Sequence, residues 1–205
     1  KSRFQNYPLP NTKIINLNLE KLNKKSISNE TIKIVETYLE KKNQILFFLN
    51  RRGYSPFLIC KKCGYRHICP NCSIYLTYHK ILNKIICHHC GYQNITKKNC
   101  KDKNLNCDFS MYGPGVEKVS EELKSIFPNK IVKIFSSDYL NKKKQSEELI
   151  KEVGEQKIDI LVGTQMISKG FNFPKLNCIV VVDADFTGKG YDLRTTEKNI
   201  QLYNQ

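Results

Sequence analysis

The sequence predicts an α/β domain built on a parallel sheet and interrupted by one cysteine-rich insertion. Three observations lead there. Continuous apolar runs such as Ile45-Leu46-Phe47-Phe48-Leu49 have strand length and no polar alternation, as strands buried on both faces do. Helical periodicities stand between such runs, and strands alternating with helices argue for a parallel sheet. Between residues 60 and 107 the pattern stops, aliphatic residues thin out, and eight of the nine cysteines appear.

The chain divides into three zones. In residues 1–59, an irregular start around Pro8 and Pro10 precedes Ile14-Ile15-Asn16-Leu17-Asn18-Leu19, a candidate short strand. Thr31, Ile34, Val35, Tyr38 and Leu39 then recur at spacings of three and four, predicting an amphipathic helix over 28–42 with Ser28 as N-cap. Strand 45–49 follows. Residues 60–107 form the insertion. In residues 108–205, Val116, Val119, Leu123 and Ile126 mark a helix that Pro128 ends, and 131–135 is a strand. Residues 141–154 make a polar helix carrying Leu149, Ile150 and Val153; 158–162 and 179–182 are buried strands, and 193–204 is a last helix. Cys178, at the start of an apolar strand, reads as a buried core residue.

Lys and Arg total 34 against 19 Asp and Glu, a formal charge of +15. Such an excess suits an anionic partner, most often nucleic acid. The competing explanation is a composition crowded with Lys, Asn and Ile that raises the charge without forming a patch. Two zinc ions on eight thiolates would lower the figure to about +11. No run of about 18 apolar residues is present, so no transmembrane helix is expected. No apolar segment follows the charges of Lys1-Ser2-Arg3, so no signal peptide is expected either. With no initiator Met, the chain is expected to begin inside a longer protein. Paired C-x-x-C knuckles without a secretion signal point to metal ligands in a reducing compartment, most simply the cytoplasm.

The cysteines are spaced C-x2-C at Cys60/Cys63, C-x2-C at Cys69/Cys72 and C-x2-C at Cys87/Cys90, followed by Cys100 and Cys107. Two cysteines separated by two residues turn both sulfurs toward one point, and two such pairs complete a tetrahedral zinc site. Eight cysteines supply two sites of four. A site closed by four thiolates has no open position for water and is structural. Reactive or redox cysteines are the competing reading, which three knuckles in 31 residues suit poorly. His67, His79, His88 and His89 read as surface residues, although His88 lies between two ligands and could compete. Tyr65, Tyr75, Tyr78 and Tyr92 interleave with Lys61, Lys62, Arg66 and Lys80, a pattern suited to stacking on unpaired bases, to docking a protein, or simply to packing the module.

The strand ending at Leu161-Val162 runs into Gly163-Thr164-Gln165-Met166-Ile167-Ser168-Lys169-Gly170. In open α/β sheets ligands bind at the C-terminal strand ends. Thr164, Gln165, Lys169 and Gly170 can approach phosphate through hydroxyl, amide, ammonium and bare backbone; a plain strand-to-loop turn is the alternative. Asp183 and Asp185 end a strand at the same edge and suit either polar coupling near a nucleotide or capping. Arg51 and Arg52 can face DNA or a carboxylate within the lobe. Arg194 with Glu197, three apart, is most simply a surface ion pair worth a few tenths of a kcal/mol.

Read together, several motifs carry a family resemblance. Phe47-Phe48-Leu49-Asn50-Arg51-Arg52-Gly53-Tyr54 leads into the first knuckle, and Tyr112-Gly113-Pro114-Gly115-Val116-Glu117-Lys118 restarts the α/β pattern. Gly163-Thr164-Gln165-Met166 through Lys169-Gly170 precedes Val182-Asp183-Ala184-Asp185, then Asp192-Leu193-Arg194-Thr195-Thr196-Glu197 and Gln201-Leu202. Over essentially its whole length the chain resembles the replication-restart DNA helicases of the PriA (primosomal protein N′) family. The resemblance implies an ATP-driven 3′-to-5′ helicase that recognises stalled forks and helps reload the replicative helicase. Its partners would be forked or single-stranded DNA, single-stranded DNA-binding protein and primosome proteins, with no membrane. The chain would be the second RecA-like motor lobe with a two-zinc insertion, and Thr164–Gly170 would be helicase motif V. The resemblance also nests the knuckles: Cys69, Cys72, Cys87 and Cys90 make an inner site, and Cys60, Cys63 and Cys100 belong to an outer one.

Three departures from the family pattern matter. The last knuckle should place Cys at 103, where this chain has Lys103; Cys107 is the nearest substitute. No Walker A loop, G-x-x-x-x-G-K-[ST], and no DEAH-type Mg²⁺ motif is present. The arginine motif expected on this lobe would follow Gln205. ATP and Mg²⁺ would therefore bind only with a first lobe, and the chain alone is expected to hydrolyse ATP poorly or not at all. The missing Walker residues favour a second description, a non-enzymatic zinc-ribbon module binding DNA or a replication protein; motif V and the α/β repeat favour the motor lobe.

Overall fold

The computed structural model describes residues 10–17, 26–49, 57–80, 82–95, 100, 107–112, 115–136, 140, 143–164, 167, 171–182, 184, 197 and 201. Helix α1 spans Asn29–Glu40. Ser28 caps it: its Oγ accepts from the Thr31 backbone N–H at 3.0 Å, satisfying one of the N–H groups a helix start leaves bare. Strand β1, Gln44–Phe48, follows and is buried throughout. Helix α2 runs Val116–Ile126, strand β7 Val132–Phe135, helix α3 Lys143–Gly154, strand β8 Ile160–Gly163 and strand β9 Leu176–Val181.

The four strands form one sheet in the order β7-β8-β1-β9. Every pairing is parallel, with Ile45 opposite both Ile160 and Cys178. The continuous apolar run of β1 is thereby explained. Ile45 and Phe47 face one side, packed with Val35 and Leu39 of α1 and Val116, Val119 and Leu123 of α2. Leu46 and Phe48 face the other, packed with Leu149 and Val153 of α3. A strand covered by helices on both faces has no polar position to alternate with. One polar residue enters this core, Gln44, whose Nε2 donates to the carbonyls of Val153 and Ile158, each at 2.9 Å.

Strand β1 precedes the insertion, while its partners β8 and β9 follow it, so the two flanking stretches build one sheet. The excursion leaves and returns on an antiparallel stem: β2, Phe57–Cys60, pairs with β6, Phe109–Tyr112, with Cys60 opposite Phe109. Within it, β3 (Thr77–His79), β4 (Lys84–Ile86) and β5 (Gln93–Ile95) form a small antiparallel sheet.

Four expectations need correction. Residues 10–16 form no strand; Ile14 is 90% exposed, and Lys13 is instead drawn to Glu30 at 2.5 Å. The last strand starts at Leu176, three residues before 179. It is not buried on both faces: Cys178, Val180 and Val182 pack against the core, whereas Ile179 and Val181 point away and are exposed, because β9 is the edge strand among the described residues. Cys178 is accordingly half-buried, and burial raises its thiol pKa. Of the helix expected over 193–204, Glu197 and Gln201 are described and helical, with Gln201 Nε2 donating to Glu197 Oε1 at 3.3 Å; Arg194 lies outside the described residues.

Candidate metal centre

Each C-x-x-C pair folds into the same turn. The N–H of Gly64 donates to the Cys60 carbonyl at 2.8 Å, that of Ser73 to Cys69 at 3.1 Å, and that of Gly91 to Cys87 at 2.9 Å. A return bond closes each loop: Cys60 N–H to Tyr65 O, Cys69 N–H to Ile74 O and Cys87 N–H to Tyr92 O, at 2.7–2.9 Å. The residue after each second cysteine must take positive φ to permit this. Gly64 (φ 70) and Gly91 (φ 77) do so without a Cβ penalty, whereas Ser73 (φ 55) bears one. Tight reversal at all three knuckles gathers the sulfurs, and at the first and third the backbone N–H groups of the turn hydrogen-bond the leading one.

The knuckles then combine in two groups. The sulfurs of Cys69, Cys72, Cys87 and Cys90 all lie within 4.8 Å of one another, with Cys69–Cys90 at 3.5 Å and Cys72–Cys87 at 3.4 Å. Those of Cys60, Cys100 and Cys107 form a second group within the same limit. Cys63 joins its edge, 3.3 Å from the Cys100 sulfur, and the Cys107 sulfur accepts the Cys100 N–H at 3.2 Å. A tetrahedral Zn–S distance near ~2.3 Å corresponds to sulfurs about 3.8 Å apart. The groups fit zinc on that measure and on donor chemistry, and all nine cysteines are free of disulfides.

The electrostatics of each group point the same way. Burial pushes Cys60 up, but hydrogen bonds from the Cys63 and Lys62 backbone and the Cys100 and Cys63 thiols outweigh it and hold Cys60 at about 6. Cys87 is likewise held at about 6: burial opposes, and the Cys90 and His89 N–H groups prevail. Their neighbours go the other way. Burial and the Cys87, Cys69 and Cys90 thiols push Cys72 up to about 12; burial and the Cys107, Cys60 and Cys63 thiols push Cys100 up. One thiolate per group is favoured and a second is opposed by crowding. A soft divalent cation resolves that opposition by letting every sulfur ionise.

Around the inner group, Leu58, Leu76, Tyr78 and Ile85 are buried and Tyr92 and Phe109 pack beside them, so Tyr78 and Tyr92 are packing residues. Tyr75 remains 39% exposed, with the Arg66 guanidinium carbon 5.2 Å from its ring centroid. Lys61 pairs with Asp108 at 2.6 Å and Lys80 with Glu121 at 2.9 Å. The histidines do not all lie on the surface. His88 and His89 are exposed, but His67 is half-buried, its ring stacked 5.2 Å from Phe109, and His79 is fully buried. His79 Nε2 lies 3.0 Å from His88 Nε2, and His79 Nδ1 lies 3.8 Å from Oε1 of Glu117, itself 2% exposed. Sequence reading missed this buried pair; nothing in local spacing marks a contact 38 residues apart between a hairpin and a helix start.

In the lobe, Thr164 sits at the C-terminal end of β8, 5% exposed, its N–H donating to Phe135 O at 3.3 Å and its carbonyl accepting from Ile167 N–H at 3.0 Å. The preceding Gly163 sits in a tight place: a Cβ there would stand 3.3 Å from both Phe135 O and Ile167 Cγ2, so a larger residue would need its neighbours to give by a few tenths of an ångström. Gln165, Lys169 and Gly170 lie outside the described residues, as do Arg51, Arg52, Asp183 and Asp185. No helix among the described residues is long and apolar enough to cross a membrane.

Residues 69–94 match the PriA DNA helicase Cys-rich region domain, and residues 95–205 match the helicase conserved C-terminal domain. Curated relatives align along the chain. The replication restart protein PriA of Rickettsia felis is 40% identical over 205 residues, covering 100% of this chain and 32% of its own length. That of Bacillus subtilis is 35% identical over 207 residues, covering 100% of the chain and 26% of its own length. That of Haemophilus influenzae is 36% identical over 179 residues, covering 87% and 24%. The chain thus spans about a third or less of the length of these relatives. With its four-stranded parallel sheet as the RecA-like lobe and its cysteine module as the insertion, the chain belongs to the helicase conserved C-terminal domain family, and along its whole length it is similar to the replication restart proteins PriA.

Proposed function

We propose that the chain is the second motor lobe of an ATP-dependent 3′-to-5′ DNA helicase that recognises stalled forks and serves replication restart. The observation that carries this reading is a conjunction: a parallel sheet whose β8 runs into Gly163-Thr164, and a nested cysteine module on an antiparallel stem, in one chain. The lobe comprises 1–59 and 108–205, and the insertion 60–107. The inner zinc site is Cys69, Cys72, Cys87 and Cys90; the outer is Cys60, Cys63, Cys100 and Cys107. Four thiolates close each site, so the metal supplies folding energy and no open coordination position.

Thr164, Gln165, Lys169 and Gly170 are the residues of this lobe that link DNA contact to the nucleotide. ATP and Mg²⁺ require a first lobe with its Walker loop, so the chain alone hydrolyses ATP poorly or not at all. Its partners are forked or single-stranded DNA, single-stranded DNA-binding protein and primosome proteins, in the cytoplasm. The charge of +15 supports the DNA contact, because phosphate neutralisation dominates such affinity.

The test begins with zinc counting by native mass spectrometry, then fluorescence anisotropy with forked and duplex DNA over a salt series. Two zinc ions and fork binding that weakens steeply with salt are expected. Absence of DNA binding at low salt removes the DNA reading, and a single zinc removes the outer site. The lack of a Walker A loop in all 205 residues favours a second reading, a non-enzymatic zinc-ribbon module binding DNA or a replication protein. Fusing a relative's first lobe to this chain separates the two: DNA-stimulated ATPase marks a motor lobe, and none marks a binding module.

A further inference from the structure

Two polar links join strand β3 of the cysteine module to one face of helix α2 in the lobe. Glu117 and Glu121 stand one helical turn apart, and His79 and Lys80 are adjacent at the end of β3. Lys80 Nζ meets both Glu121 carboxylate oxygens at 2.9 Å, but this pair is exposed and such pairs contribute little. The His79–Glu117 pair differs: His79 is 0% exposed and Glu117 2%. A carboxylate and an imidazole withdrawn from water this far are costly unless they interact. At 3.8 Å the pair is a close polar contact and not a hydrogen bond.

Beyond His79 the link continues toward the metal. Its Nε2 lies 3.0 Å from Nε2 of His88, so one ring donates and the other accepts. His88 is the second residue of the 87–90 knuckle, and its backbone direction is set by the turn that Gly91 N–H closes onto Cys87 O. At the other end, α2 follows the N-cap residue Gly115, which offers no side-chain cap, and its buried face of Val116, Val119 and Leu123 packs in the same core as β1. We propose that His88, His79 and Glu117 form a coupling element through which closure of the inner cysteine set holds the first turn of α2, and with it one wall of the lobe core. His79 and Glu117 are thus positioning residues. The inference rests on reading the inner set as a zinc site.

Hydrogen–deuterium exchange on the full chain tests it, comparing zinc-loaded protein with protein stripped by a chelator under reducing conditions. In the native chain, stripping accelerates exchange in the module and also in the start of α2, by roughly fivefold or more. His88→Ala alters an exposed residue and keeps the native zinc count, yet α2 no longer responds to stripping; Glu117→Gln behaves the same way. The proposal is overturned if α2 of the zinc-bound native chain ignores stripping, or if both variants respond as the native does. It is also overturned if His88→Ala loses a zinc ion, since His88 would then be a ligand. A native chain that binds no zinc removes the inner-site reading itself, and this inference with it.

Discussion

Replacing Cys107 by serine takes one sulfur out of the outer cysteine group and leaves the inner group untouched. Cys107 lies within 4.8 Å of the Cys60 and Cys100 sulfurs and accepts the Cys100 N–H at 3.2 Å. Serine retains an acceptor for that N–H but offers zinc a poor ligand. Structural zinc binding is worth roughly 10–16 kcal/mol over four ligands, so each contributes about 3 kcal/mol. With a water or hydroxyl recovering part of this, the outer site weakens by about 2–3 kcal/mol, or ~10²-fold in affinity. Native mass spectrometry in the presence of graded chelators reads the change. The native chain should hold two ions against a chelator that removes one from Cys107→Ser, while Cys178→Ser, altering a half-buried residue outside both groups, keeps two. If Cys107→Ser holds both ions as tightly as the native chain, Cys107 is no ligand and the outer reading fails.

Other outcomes follow from single features. Ser73→Gly relieves a left-handed residue (φ 55) at the middle knuckle and should stabilise the zinc-loaded chain by about 1 kcal/mol, seen as a raised thermal midpoint. Gln44→Ala leaves the Val153 and Ile158 carbonyls without their donor inside the core, costing about 1–3 kcal/mol in urea unfolding with little change in zinc content. Phe47→Ala empties the centre of the sheet at a fully buried position and should cost about 3–5 kcal/mol by the same assay. Zinc affinity depends on pH through the thiols: Cys60 and Cys87, held at about 6, are thiolates at neutral pH and protonate as pH falls through that value. Cys72 and Cys100, pushed up, must shed their protons to bind, so affinity already falls by about tenfold or more per unit as pH drops through neutrality, and the fall steepens below about pH 6 when Cys60 and Cys87 also protonate, as titration with a zinc indicator would measure.

Most of the fold was legible because its signals are local. The helix at Asn29–Glu40 announces itself through apolar spacing and the Ser28 cap, and β1 and β8 through apolar runs that only doubly covered strands tolerate. The insertion was legible for a related reason: three knuckles each close within six residues, so spacing alone carries their geometry. Errors fell where a neighbour decides. Ile14-Ile15 has strand composition, but no strand among the described residues pairs with it, and composition without a partner makes no sheet. Ile179 and Val181 read as doubly buried because nothing in their own sequence says that β9 lies at an edge.

The site shows the same division more sharply. Which cysteines pair into knuckles is a matter of two intervening residues; which knuckles share a metal depends on how the β2–β6 stem brings Cys60 beside Cys100 and Cys107. The family pattern puts a cysteine at 103, yet Lys103 need not open the outer group, because proximity is set by the stem register and not by the count of residues in the loop. Cys60 is opposite Phe109, and Cys107 is two residues from that partner, so the stem itself delivers its sulfur to the neighbourhood of Cys60. A loop of six residues between Cys100 and Cys107 costs only slightly more closure entropy than one of two, since that cost grows with the logarithm of length. His79 illustrates the converse. A histidine near a knuckle is ordinarily solvent-facing, but here it is buried together with Glu117, 38 residues away in the first turn of α2, whose Oε1 lies 3.8 Å from its Nδ1. Polar groups acquire roles from partners that only the assembled sheet brings near, which is why the histidine and not the cysteines escaped the sequence.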